Sequence, residues 1–110
     1  MEDKRNYPRV PVHLQVRYPE GVSLISSWID SLSLGGVFIR TSRPLPIGTE
    51  LTLEILIQDD PEPVRIRAKV VWERLLSGSP RQGISGDGMG VAFLEAPPER
   101  LKKLLTSKGA

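Results

Sequence analysis

Cysteine is absent from this 110-residue chain, which removes disulfides, thiolate metal sites and cysteine nucleophiles and fits a reducing, cytoplasmic setting. Histidine occurs once, at His13, and Asp59, Asp60 and Glu62 share a proline-rich turn without further ligands, so no metal site is expected. No nucleophile–base pair stands out and the histidine has no evident orienting partner, so the chain reads as non-enzymatic. No apolar run approaches the ~18 residues of a membrane span, and no apolar signal region follows the opening Met-Glu-Asp-Lys-Arg. Aromatic residues make up 5% of the chain, whereas single-strand binding wants several exposed aromatics along a groove. Neither a membrane nor a nucleic acid is an expected partner. Charge of one sign is also scarce: 15 basic against 13 acidic residues give a net charge of +2, too slight to argue for a polyanion.

What is present is alternation. Val10, Val12, Leu14, Val16 and Tyr18 recur with period two, which marks a strand with one buried and one wet face. Val22, Leu24, Ser26 and Trp28 read as the inward positions of a second strand ending near Asp30. Val37 to Arg40 is a third; Leu51, Leu53, Ile55 and Ile57 mark a fourth; Val64, Ile66, Ala68, Val70 and Trp72 mark a fifth. By that parity Trp72 belongs with the core, Trp28 is expected to pack, and His13, Arg65, Arg67 and Lys69 face solvent. The glycines and proline between Leu75 and Asp87 predict a mobile loop before a last strand from Gly88 to Leu94. Pro97-Pro98-Glu99 then opens a short helix whose Leu101, Leu104 and Leu105 share one apolar face. The pattern predicts one all-β domain: a basic arm over 1–9, a six-stranded antiparallel β-barrel over 10–95 and a C-terminal α-helix over 97–106. Closure would remove the edges that such strands otherwise expose.

Two stretches carry chemistry. Lys4, Arg5 and Arg9 lie on a segment that Pro8 keeps extended, so the cations splay along an open arm. Ser31-Leu32-Ser33-Leu34-Gly35-Gly36 combines hydroxyls two apart, expected on one side of an extended chain, with two glycines that permit positive φ or a close approach to the backbone. A surface of short polar groups and bare amides suits a planar polar base edge; taken alone, the stretch is better explained as a glycine bulge with serines satisfying the local backbone.

Together the arm and the turn resemble the PilZ domain, the bacterial cyclic di-GMP receptor module. That family carries an Arg-x-x-x-Arg arm and an [Asp/Asn]-x-Ser-x-x-Gly turn on a six-stranded barrel with a C-terminal helix. Arg5 and Arg9 match the arginines, Ser33 the serine and Gly36 the glycine. Arg9-Val10-Pro11-Val12, Gly35-Gly36-Val37-Phe38-Ile39, Pro44-Leu45-Pro46-Ile47-Gly48, Val70-Val71-Trp72 and Gly88-Met89-Gly90-Val91-Ala92-Phe93 also read like family segments, in family order.

The resemblance implies a cyclic di-GMP receptor without any other cofactor, with Lys4, Arg5, Arg9, Ser31, Ser33, Gly35 and Gly36 as ligand-binding residues. Arg5 and Arg9 would address guanine O6 and N7 and the phosphates, and ordering of the arm would re-present a surface to a protein partner. One departure stands out. Ser31 occupies the family's Asp or Asn position, and sliding the register to use Asp30 would place Leu32 on the serine position. Loss of a charge-assisted bond there costs about 1.5–3 kcal/mol, one to two orders of magnitude in affinity. The alternative is a PilZ-like adaptor that binds no nucleotide and acts through protein contacts. Either form is compatible with a monomer or a homodimer.

Overall fold

The computed structural model describes residues 9–74 and 87–109, with side chains through Thr106. Residues 1–8, which include Lys4 and Arg5, and the expected loop over 75–86 lie outside the described residues.

Six strands close into an antiparallel barrel. They are β1 (Val10–Glu20), β2 (Ser23–Leu32), β3 (Gly36–Arg40), β4 (Glu50–Leu56), β5 (Val64–Arg74) and β6 (Gly88–Phe93). Around the ring the order is β1-β2-β3-β6-β5-β4, so every strand has two hydrogen-bonded neighbours. Alternation drives the closure where it is clean. Val16, Leu53, Ile55, Ala68 and Val70 are fully buried inside, while Arg65 and Arg67 stay outside. On that outer face Arg65 pairs with Glu54 at 2.8 Å and Arg17 reaches the same carboxylate at 3.0 Å, so the basic stripe is answered by the acids of β4.

The helix α1 (Glu99–Gly109) starts two residues after the expected 97. Proline has no N–H, and here the Pro98 carbonyl accepts from the amides of both Leu101 and Lys102, which makes Pro98 the entry to the first turn. Leu101 is fully buried, and Leu104 and Leu105 pack against the same core. Arg100 anchors the helix. Its guanidinium donates to Asp60 Oδ2 (2.6 Å) and to the carbonyls of Glu62 (2.6 Å) and Pro63 (3.2 Å), all in the turn between β4 and β5.

Two inward assignments need correction. In β2 the buried parity is Ile25, Ser27 and Ile29, whereas Val22, Leu24 and Trp28 face outward. Both parities of this stretch are apolar, so alternation is degenerate. The register with β1 decides it: Leu14, Val16 and Tyr18 stand opposite Ile29, Ser27 and Ile25, and cross-strand partners share a face. The Tyr18 hydroxyl lies 3.3 Å from Ser27 Oγ, so the two hydroxyls on that inner face of the pair satisfy each other. Trp28 instead stacks on His13 outside the barrel, ring centroids 4.1 Å apart and nearly parallel at 5°.

Trp72 is the second correction. The β5–β6 register shifts between Val70 and Trp72, so Val70 faces Val91 and Trp72 faces Gly90 with Val71 as the extra residue. A bulge of this kind turns the strand's later side chains to the other face. Val70 is fully buried, and Trp72 lies outside at 39% exposure.

Candidate functional site

Arg9 and Ser31 meet. At the entry to β1, Arg9 Nη1 donates to Ser31 Oγ at 2.9 Å across 22 residues of sequence. The contact follows from register, because Pro11 pairs with Ser31 and Val10 with Leu32. Arg9 is exposed as a residue, yet desolvation at its guanidinium pushes its pKa down from the ordinary arginine value. Among the described residues its partner is a neutral hydroxyl, and no carboxylate pairs with it. A cation so placed gains from an incoming anion.

The pair borders an open pocket of about 500 Å³ on the outer wall of the barrel. Asp30, Ser31, Phe38, Arg40, Trp72 and Arg74 line it together with Arg9. Three arginines and one carboxylate share the pocket with the Phe38 and Trp72 rings and with Val12 and His13. Phe38, opposite Ser31 in the β2–β3 pair, points outward but is only 5% exposed. Trp72 covers it with ring centroids 5.3 Å apart at 23°, and the Arg74 guanidinium carbon sits 4.6 Å above its ring. Apolar walls with a few convergent charged groups are what a small polar, aromatic ligand requires.

The remaining turn residues do other work. Ser33 is 4% exposed, and its hydroxyl donates to the Gly36 carbonyl (3.3 Å) and accepts from the Gly35 amide (3.2 Å). Its own amide also bonds the Gly36 carbonyl at 2.9 Å. Ser31 and Ser33 therefore do not share a face: β2 ends at Leu32 and the chain reverses at Ser33. Ser33 closes the corner that presents Ser31. Gly35 accepts the Phe93 amide at 2.8 Å. Gly36 pairs with Ala92, and a Cβ on it would collide with the Val91 carbonyl oxygen. Neither glycine has positive φ; close backbone approach is what Gly36 provides.

Sequence reasoning missed Asp30, Phe38, Arg40, Trp72 and Arg74 as neighbours of Arg9. Two bulges hide them. In β2 the register shifts between Ile29 and Ser31, so Ile29 and Leu32 are fully buried while Asp30 and Ser31 between them both face out. The second bulge brings Trp72 outward. Gly90 was the available signal, since a glycine inside a strand marks a place where another group comes close.

A family model described as PilZ domain matches residues 3–107. Comparison with curated proteins gives no match. Among solved structures, the PilZ domain with c-di-GMP of YcgR from Escherichia coli superposes with a TM-score of 0.70 at 19% identity, covering 97% of this chain and 92% of that one. The Bacillus subtilis inhibitor of motility (MotI/DgrA) gives 0.70 at 18% identity over 96% of this chain and 50% of the other, so this chain spans half of that one. The PilZ domain of CeSA from a cellulose-synthesizing bacterium gives 0.54 at 17% identity, covering 93% of this chain and 95% of that one. These likenesses show the fold. The family match, over nearly the whole length of a closed six-stranded barrel with its terminal helix, shows that this chain belongs to the PilZ domain family.

Proposed function

We propose that this domain is a receiver of cyclic di-GMP, a non-enzymatic module that answers the dinucleotide by ordering its N-terminal arm and altering the surface it offers to a protein partner. The observation that supports the reading is the Arg9–Ser31 bond, which brings the last residue of the arm and the start of the corner turn to one pocket. Two phosphates need cationic donors, and Arg9 supplies a fork that lacks an anionic partner among the described residues. Lys4 and Arg5, on the same short segment, add the charge that completes the clasp. A purine needs a flat face, and the Trp72 indole beside Phe38 presents one. Ser33, Gly35 and Gly36 hold the corner, Ser31 lines the pocket, and neutralisation by the ligand pulls the arm onto the barrel.

The second reading is an adaptor that binds no nucleotide. It is favoured by the short Ser31 at the family's Asp or Asn position and by the Ser33 hydroxyl being bonded within its own turn. Calorimetric titration of the intact chain with cyclic di-GMP separates the two. A receiver gives micromolar or tighter dissociation that is lost in the Arg5→Ala, Arg9→Ala double variant. Absence of binding heat in the unaltered protein sinks the receiver reading.

A further inference from the structure

We infer that Asp30, which lies outside the family's motif, supplies the carboxylate that reads guanine in this domain, in place of the Asp or Asn missing at position 31. The inference rests on the cyclic di-GMP reading and names the residue that would give it base selectivity. Consecutive residues of a regular strand face opposite ways, which would send the side chain next to Ser31 into the core. Here the bulge between Ile29 and Ser31 suspends that rule. Ile29 and Leu32 are fully buried, and the two polar residues between them both line the pocket. Asp30 and Ser31 thus reach the ligand side without the register slide that would have moved Leu32 onto the serine position.

The carboxylate is also held in place. Arg40 Nε donates to Asp30 Oδ2 at 3.0 Å, and among the described residues no other donor reaches it. Asp30 is 16% exposed at its side chain, with Arg40 on its flank at 53%. A carboxylate so anchored retains an acceptor for an incoming N–H. Guanine carries two donors side by side, N1–H and the N2 amino group, and a carboxylate accepts from both in one plane. Adenine turns a bare N1 lone pair to the same place, which a carboxylate repels. Arg40, bonded to Asp30, and Arg9, bonded to the adjacent Ser31, offset the negative charge in the pocket.

The test is titration of the full chain with cyclic di-GMP and with cyclic di-AMP. Asp30→Ala removes both acceptor oxygens while leaving Ser31 and Arg40 in place. The expected result is a fall of about 10- to 100-fold in the preference for cyclic di-GMP over cyclic di-AMP, with the melting temperature unchanged. Adding Ser31→Asp to that variant should restore the preference. Wild-type preference in Asp30→Ala overturns the assignment, as does equal weakening toward both dinucleotides, which would mark Asp30 as a structural partner of Arg40. Failure of the unaltered protein to bind cyclic di-GMP would instead overturn the receiver reading, and this inference with it.

Discussion

Trp72 and Gly90 face each other across β5 and β6, and the five-membered ring of the indole occupies the space where a Cβ on residue 90 would stand. The bulge sends Trp72 outward and the glycine lets it lie close, so that it roofs Phe38 and forms one wall of the pocket. Gly90→Ala should push the indole off this seat, with an overpacking cost of about 1–3 kcal/mol. Urea denaturation should show the lowered midpoint and tryptophan emission a more solvated ring. An unchanged midpoint and spectrum would mean that the glycine is incidental.

Gly36 gives a sharper version of the same test. The atom its missing Cβ would meet is the Val91 carbonyl oxygen, part of the backbone, which cannot rotate away as a side chain can. Gly36→Ala must open the β3–β6 pair at Ala92, and a loss of at least about 3 kcal/mol is expected. Unfolding monitored by circular dichroism checks this. Stability equal to the parent would show that the strands shift apart freely, and the structural account of the motif glycine would fall.

Arg9→Lys probes geometry against charge. Lysine keeps the positive charge but not the planar fork that bonds Ser31 and can bridge two acceptors. On the receiver reading proposed above, cyclic di-GMP affinity should drop about tenfold, the usual worth of one charge-assisted bond. Equal affinity in a calorimetric titration would mean that the site senses only net charge.

The helix anchor has a pH dependence of definite sign. The hydrogen bond from Arg100, and then the Glu62 amide, holds the Asp60 carboxyl below its ordinary value. A carboxyl depressed in the folded state contributes stability that is fully present above its unfolded pKa of about 3.9 and is lost as pH falls through the lower folded value. Below pH 4, therefore, attachment of α1 should weaken, seen as faster amide exchange in the helix. Asp60→Asn should flatten that dependence, and Arg100→Ala should loosen the helix at neutral pH as well. A helix equally protected in all three proteins would show that Leu101 and its neighbours hold it alone.

Alternation in Val10–Tyr18, Leu51–Ile55 and Val64–Val70 determined three strands and their inward faces, because burying one parity leaves the other to charged side chains. Pro97-Pro98-Glu99 and the leucines behind it determined the terminal helix, and the arm and corner residues were enough to identify the family. Tertiary structure alone decided which way β2 turns, because Leu24 and Trp28 compete evenly with Ile25 and Ile29 until β1 lies alongside. It also decided the pocket. A bulge exists only when a partner strand is in register to leave one residue over, so the outward turn of Asp30 and of Trp72 has no trace in the period of either strand.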